Sequence, residues 1–392
     1  VHEPFALRAV IEISTDAGLT GLGETYADTR HLDALRAVAQ AIEGADVYRT
    51  EEIYRLVVGV VGPGGATIAS GTVGDTPAAD PVFAPFEVAC LDIQARAVGR
   101  PVADLLGGAV RDSVDFSGYL FYKWAAHPGH DRDGWGEALD PDGIVAQARR
   151  LVGEYGFTAL KLKGGVFPPA QEIEAVRALR DAFPGHPIRL DPNAAWTPAT
   201  SVSVARDLAG VLEYLEDPTA GIDGMAAVAR HSPLPLATNM CVIAFAHLPP
   251  AIRKGAVQVV LADPHYWGGL RRSALLAGIC QTFGLGLSMH SDPHLGISLA
   301  AMVQLAAATP NLGYACDTHF PWRYEDVIKG TPLPFRDGAI RVPDGPGLGV
   351  ELDRDALAAL HEQYLRCGFR DRDETGYMQR ARPGYQFIRP RW

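Results

Sequence analysis

The chain has 392 residues, 47% of them hydrophobic, and a formal net charge of −11, enough apolar material for a large core plus a second domain. This acidity, with no Lys/Arg-rich run, excludes a nucleic-acid surface, and no apolar stretch reaches the ~20 residues that span a bilayer. Cys90, Cys241, Cys280, Cys316 and Cys367 are isolated and form no C-x-x-C pair. With no signal-peptide pattern, they are expected to be reduced thiols of a cytoplasmic protein. The chain opens on Val1 rather than Met, so preceding residues are expected.

In chain order, Ala6 to Thr15 alternates as a strand, Asp16-Ala17-Gly18 turns, and Gly21 to Tyr26 reads as the partner strand. Helices are predicted at Leu32 to Ile42, stopped by Gly44, and at Glu51 to Val58 with Thr50 as a cap. Gly62 to Pro77 lacks both a hydrophobic period and the Gly-Lys-Ser/Thr ending of a phosphate-cradling loop. It reads as a surface loop that could serve as a lid. Phe86 to Val98 is a strong amphipathic helix, ended by Gly99 and Pro101.

From Val114 to Tyr122 onward, short apolar runs alternate with helical patterns. The runs end in Lys161-Leu162-Lys163, Asp191, Glu216, Asn239, Asp263 and His290, and the intervals of roughly 23 to 28 residues match one strand-plus-helix unit of a barrel. Helices are predicted at Gly143–Tyr155, Ala170–Phe183, Thr200–Ala209, Met225–Arg230, Leu248–Lys254, Arg271–Phe283 and Gly296–Ala308, with Leu312 to His319 as the eighth strand. Beyond Gly330 come Pro/Gly-rich turns, a helix at Arg354 to Leu365 and an irregular Arg/Asp-rich tail. The pattern predicts an α/β chain with a (β/α)8-type barrel behind an N-terminal α+β region. Parallel strands would bring the run-ending side chains to one rim, where barrel enzymes keep their chemistry.

Asp191, Glu216 and Asn239 present three oxygen donors from consecutive strand ends, a set suited to a hard divalent cation such as Mg2+. Each alone would read as a strand-end residue in a turn; three in register favour the metal. Lys161 and Lys163 lie two apart and share one face of their strand. The chain has only five lysines and three asparagines, and two of each fall at this rim. Where Arg is the default cation, Lys supplies a group that can lose its proton, and paired ammoniums depress each other. Asp263 could orient His290, leaving the far imidazole nitrogen for acid–base work.

These residues and their surroundings resemble the glucarate dehydratase group of the enolase superfamily, itself mandelate racemase/muconate lactonizing enzyme-like. The shared stretches include His2-Glu3-Pro4-Phe5, Gly118 to Tyr122, Lys161-Leu162-Lys163, Leu190 to Trp196 and Glu216-Asp217-Pro218. They continue through Ala237 to Met240, Ala262 to His265, His290-Ser291, Leu295 to Ala300 and Asp317-Thr318-His319. The resemblance implies a capping domain built from residues 1–110 and 331–392 around a barrel of residues 111–330. It implies Mg2+ on Asp191, Glu216 and Asn239, with Lys163, His290 and Asp263 as catalytic residues. Substrate contacts would fall to Lys161, Asn193, His2, Tyr119, Phe121, Ser291, Asp292, His319 and Arg372. The implied reaction is dehydration of an aldarate, an acid sugar, to a 2-keto-3-deoxy acid, and self-association into a homo-oligomer is expected.

Asp292 stands where the family carries Asn. A carboxylate there repels a dianionic substrate unless it is protonated or turned away. Two other readings use the same residues: an epimerase, since a Lys and a His on opposite faces suit two-base proton transfer, and a non-catalytic ligand-binding relative.

Overall fold

A computed structural model describes residues 5–62, 78–331 and 333–392. His2 and nearly all of the Gly62–Pro77 loop therefore lie outside the described residues. The chain begins with an antiparallel hairpin of β1 (Arg8–Ser14) and β2 (Thr20–Tyr26), followed by helices α1 (Thr29–Ala41), α2 (Thr50–Val61) and α3 (Ala79–Ala97). Leu35, Val38, Ile53, Val57, Phe83 and Phe86 form a separate small core among these elements. Gly21 and Gly23 let β2 lie directly on α3: a Cβ at either would overlap the carbonyl oxygen of Ala89 or Pro85. Helix α3 starts at Ala79, earlier than the predicted Phe86, and is buried along nearly its whole length. That all-round burial removes the amphipathic contrast from its first two turns. Thr50 is the first residue of α2 rather than its cap, a position held by Arg49.

After the short α4 (Val102–Leu105), the predicted first barrel strand divides into β3 (Ser113–Asp115) and β4 (Ser117–Phe121). There follow α5 (Pro141–Tyr155), β5 (Ala159–Lys163), α6 (Pro169–Ala182), β6 (Ile188–Asp191), α7 (Pro198–Asp207), β7 (Tyr214–Glu216) and α8 (Gly221–Ala229). Next come β8 (Leu236–Thr238), α9 (Leu248–Lys254), β9 (Val259–Ala262), α10 (Pro264–Trp267), α11 (Leu270–Phe283), β10 (Gly286–Met289) and α12 (Gly296–Ala307). Local signals account for the helix ends. Asp140 and Thr197 accept backbone hydrogen bonds as N-caps ahead of a proline, and Gly156, Gly255 and Gly284 take left-handed conformations at C-caps.

Strands β4 to β10 form one seven-stranded parallel sheet in sequential order. The predicted eighth strand, Leu312 to His319, is not a regular strand. It makes an isolated parallel bridge between Phe116 and Cys316. Its backbone nevertheless reaches both sheet edges: Asp317 N donates to Met289 O and Ser117 N to Cys316 O, each at 2.8 Å. Within it, Ala315 O accepts from side chains, Arg189 Nη1 at 2.7 Å and Ser288 Oγ at 3.0 Å, rather than from a ladder N–H.

The C-terminal segment carries β11 (Phe335–Arg336) and β12 (Ala339–Arg341), the latter antiparallel to β3, then α13 (Arg354–Cys367) and α14 (Glu374–Ala381). Helix α14 sits where an irregular tail was expected; its N-cap, Asp373, takes the Gly376 N–H at 2.9 Å. This segment ties back to the N-terminal elements. Thr29 N donates to Asp371 Oδ1 at 2.8 Å, Arg372 N to Asp28 Oδ1 at 3.1 Å, and Arg354 pairs with Glu12 at 2.8 Å. Among the described residues no helix is long and apolar enough to cross a membrane.

Candidate active site

The two-residue period of a strand turns alternate side chains of β5 to opposite faces. Leu160 and Leu162 pack into the main hydrophobic core, while Lys161 and Lys163 point to the side where the carboxyl ends of β6 and β7 deliver Asp191 and Glu216. The loop after Lys163 is pinned by Glu172, whose carboxylate accepts from the backbone N–H of Gly165, Val166 and Phe167 at 2.9 to 3.0 Å.

The two lysines have different surroundings. Lys161 is fully buried, and its Nζ lies 2.7 and 2.6 Å from the two oxygens of Glu216, 2.6 Å from Asp317 Oδ2 and 3.9 Å from Asp191 Oδ2. Burial alone would lower its pKa, but the carboxylates around it drive the pKa well up. The expected mutual depression of the lysines therefore fails for Lys161, whose neighbours of opposite charge outweigh the one of like charge. Lys163 keeps 19% of its side chain exposed and touches Asp191 Oδ2 at 2.5 Å and Asn193 Oδ1 at 3.2 Å. A cavity of about 140 Å³ opens beside Lys163 and Asn193, walled by Phe121, Phe167, Tyr385 and Arg389.

Asp191 also accepts from Tyr119 Oη at 3.2 Å and from Asn193 N at 2.9 Å. Burial pushes its pKa up, yet Lys163 and Lys161 hold it below the usual carboxylate range. Glu216 moves the other way: burial and the crowd of Asp191, Asp317 and Asp217 raise it against the pull of Lys161. Asp217 is pushed up to about 7 by burial. Its oxygens organise the next strand end, taking Thr238 Oγ1 at 2.6 Å and Asn239 N at 2.7 Å. Asn193, Ala194 and Asp217 have φ of 57°, 58° and 36°, left-handed conformations that cost a non-glycine residue about 1–3 kcal/mol and cluster at functional sites.

Asn239 tests whether a cation fits. With its amide oxygen toward Glu216 Oε1 and Asp217 Oδ2, both at 3.1 Å, its nitrogen faces His290 Nε2 at 2.9 Å; turned over, the amide donates to both carboxylates. His290 Nδ1 lies 2.9 Å from Asp263 Oδ2, so in the neutral imidazole Nδ1 carries the proton and Nε2 is an acceptor. That acceptor matches the amide nitrogen, and it leaves the amide oxygen among carboxylate oxygens, an arrangement stabilised by a positive ion between them. Lys161 Nζ supplies one positive charge to this oxygen cluster. Among the described residues no group of three or more His, Cys, Asp or Glu is arranged for a metal, and here the third donor is an amide. The donors, all oxygen, suit a hard cation.

Further along the strand order, after β9 and β10, Asp263 and His290 form the expected pair. Burial works against the charged imidazole, but Asp263 and Asp292 raise the His290 pKa above its ordinary value. Ser291 and His319 are buried beside it, 3.4 Å apart, and the His319 ring lies 4.8 Å from Tyr119 and 5.2 Å from Phe121. Burial pushes His319 down to about 3, so it is a neutral ring at physiological pH. Arg372 ion-pairs with Glu374 and lies in the field of Asp292.

Asp292 is held by two phenols: Tyr26 Oη at 2.8 Å and Tyr266 Oη at 2.9 Å both donate to its Oδ2. Burial would raise its pKa, but His290, Arg372 and the Tyr26 hydrogen bond keep it well below the carboxylate range. It is therefore ionised, with one oxygen turned to the tyrosines. Sequence reasoning missed Tyr26 and Tyr266, the role of Asp317 as a partner of Lys161, and His265 as a second imidazole on Asp263. Asp317 and His265 sat inside quoted motifs. Tyr26 carried no signal, since it meets Asp292 across 266 positions of sequence.

The strand ends thus gather a lysine pair, a cluster of oxygen donors and a His–Asp pair, an arrangement that fits an α/β enzyme. Residues 143–356 match the model of the enolase C-terminal domain-like family, and residues 5–107 match the mandelate racemase/muconate lactonizing enzyme N-terminal domain. The chain is 51% identical to a probable glucarate dehydratase of Streptomyces coelicolor, covering 100% of this chain and 94% of that one. A crystal structure of an enolase from Mycobacterium smegmatis complexed with tartrate superimposes with a TM-score of 0.96 at 68% identity, covering 100% of this chain and 93% of that one. One from Thermobispora bispora complexed with magnesium and formate gives 0.98 at 62% identity, covering 100% and 94%. The chain belongs to the enolase superfamily, in its glucarate dehydratase group.

Proposed function

We propose that this enzyme is a Mg2+-dependent acid-sugar dehydratase that removes the proton α to a carboxylate and expels the β-hydroxyl. The observation that carries the reading is the pairing of Lys163 on one side of the Asp191–Glu216–Asn239 donors with the Asp263-held His290 on the other. Asp191, Glu216 and Asn239 would hold the metal, whose charge supplies electrostatic stabilisation to the enediolate. The magnesium recorded in the Thermobispora relative is in keeping with this donor set.

In this reading Lys163 is the base. Its Nζ now lies 2.5 Å from Asp191 Oδ2, so it can reach a substrate proton only when Asp191 engages another partner. Lys161, kept cationic by Glu216 and Asp317, presents positive charge to the substrate carboxylate as that group becomes more electron-rich. The C–H pair then forms the double bond as the C–O bond breaks. His290 acts as the imidazolium. With Nδ1–H kept on Asp263, its Nε2 first takes up a proton from solution and then gives it to the departing hydroxyl, which leaves as water, and the enol relaxes to a 2-keto-3-deoxy acid. Tyr119, Phe121, Asn193, Ser291, His319 and, from outside the described residues, His2 would shape the substrate chamber. We take residues 1–110 and 331–392 as the capping unit over a closed barrel of 111–330, the segment at 313–317 standing for its eighth strand.

We read the substrate as an aldarate. The tartrate of the Mycobacterium structure, a hydroxylated diacid, supports this class, as does the Streptomyces relative. Arg372 would face the far carboxylate, with Asp292 set aside by its tyrosines. Epimerisation would use the same two bases, and a substrate with no β-hydroxyl leaving group separates it from dehydration. The test is turnover of aldarates and aldonates with Mg2+, read as 2-keto-3-deoxy acid, with Lys163→Ala and His290→Ala as controls. Product lost in both controls supports the reading; no product from any of the acids overturns it.

A further inference from the structure

The catalytic pair does not end at Asp263. His265 Nδ1 lies 2.8 Å from Asp263 Oδ1, the oxygen that also takes the His265 N–H at 2.9 Å. Each carboxylate oxygen therefore serves one imidazole. The other His265 nitrogen, Nε2, lies 3.2 Å from Arg8 Nη2 and 3.1 Å from Ser298 Oγ. A guanidinium can only donate, so Nε2 must accept and the ring proton must sit on Nδ1, aimed at Asp263. A proton on Nε2 would face the Arg8 N–H and leave Nδ1 and Asp263 Oδ1 as two acceptors in contact.

Arg8 is itself fixed. Its Nε pairs with Glu24 at 2.8 Å, and Glu24 accepts from Leu295 N and Ser298 N at the start of α12. Arg8 and Glu24 lie on β1 and β2 of the N-terminal hairpin, whereas His265, Asp263 and His290 belong to the barrel segment. The Tyr26 ring packs against His265 with centroids 5.4 Å apart, and the nearby His31 and His294 imidazoles are both held neutral by burial.

We propose that Arg8 and His265 are positioning residues for the His290–Asp263 pair. Arg8 holds His265 as its Nδ1–H tautomer, which fixes Asp263 so that His290 also carries its proton on Nδ1 and turns Nε2 to the substrate. The capping hairpin thereby sets the tautomer of the catalytic imidazole, and an N-terminal region lifted from the barrel would leave the pair misoriented. This rests on the reading of His290 as the acid–base group.

The test is 15N-histidine NMR of the full chain at pH 8, with the His265 and His290 signals assigned by His265→Asn and His290→Gln. The expected result is a pyrrole-type Nδ1 and a pyridine-type Nε2 for both rings, with His265 losing that signature in Arg8→Met/Glu24→Gln, which removes the buried charges together. Because the readout needs no substrate, it stands even where no acid sugar is turned over. On a turned-over aldarate, kcat should fall about 10- to 100-fold in Arg8→Met/Glu24→Gln with KM little changed. His265→Asn, whose amide keeps a donor for Asp263, should recover most of the kcat lost in His265→Leu. An Nε2–H tautomer at His265, or a double variant with both signals and kcat unchanged, would overturn the proposal.

Discussion

Tyr26, on the second strand of the N-terminal hairpin, donates a 2.8 Å hydrogen bond to Asp292, two residues beyond His290. Asp292, expected to depart from the family pattern, is thus held by a residue 266 positions away in the sequence. Hydrogen bonds to charged groups contribute about 1.5–3 kcal/mol. Tyr26→Phe should cost stability in that range by chemical denaturation. Asp292→Asn removes a negative charge from the substrate chamber and should lower KM for dianionic acids more than for monoanionic ones. Equal KM changes for the two classes would count against a role for Asp292 in selection.

Lys161 neutralises the carboxylates it touches. Replacing it with Met strands Glu216 and Asp317 in a dry interior, a loss of about 3–5 kcal/mol for a broken buried pair. Thermal unfolding in EDTA should show a strongly lowered Tm for Lys161→Met, and Mg2+ should return more of that loss to the variant than it adds to wild type. A variant as stable as wild type in EDTA would show that the lysine is not what balances these charges.

His31 is buried on α1, and burial pushes its pKa from 6.5 down to about 3. The folded state resists taking up a proton that the unfolded chain accepts below pH 6.5. Stability from this group is therefore complete above that pH and is lost as pH falls toward 3, by about 1.4 kcal/mol per pH unit. Urea denaturation across pH 7 to 4 should show this slope in wild type and a shallower one in His31→Gln.

The tail closes over the loop that carries Asn193. Arg391 N and Trp392 N donate to Ala195 O at 2.6 and 3.1 Å, and Thr197 N donates to Trp392 O at 2.5 Å. Removing Arg391 and Trp392 frees a loop already holding two left-handed residues. At about 0.5–1.5 kcal/mol per hydrogen bond, KM should rise on the order of tenfold with little change in Tm. Hydrogen exchange confined to residues 192–197 should quicken in the same variant.

The sequence carried the barrel segment best, because period, spacing and chemistry agreed there: each apolar run ended in a polar group, and helices such as Leu248–Lys254 fell where predicted. The chain failed to announce what depends on tertiary partners. Leu312 to His319 has strand composition, yet its Ala315 carbonyl accepts from the Arg189 and Ser288 side chains instead of a neighbouring strand. Helix α14 lies in a charged tail with a weak apolar period. Lys161 and Lys163 look equivalent on paper, and only the positions of Glu216 and Asp317 separate a buried counter-ion from a partly exposed amine. Long-range contacts such as Tyr26–Asp292 and Arg8–His265 leave no local trace at all.

The central claim, a lysine base and a histidine acid acting in sequence, is tested most directly by proton NMR of an aldarate in D2O with Mg2+. His290→Asn should exchange the α-proton for deuterium without forming the 2-keto-3-deoxy acid, and Lys163→Ala should do neither. Dehydration by His290→Asn at the wild-type rate, or exchange by Lys163→Ala as fast as wild type, would contradict the assignment.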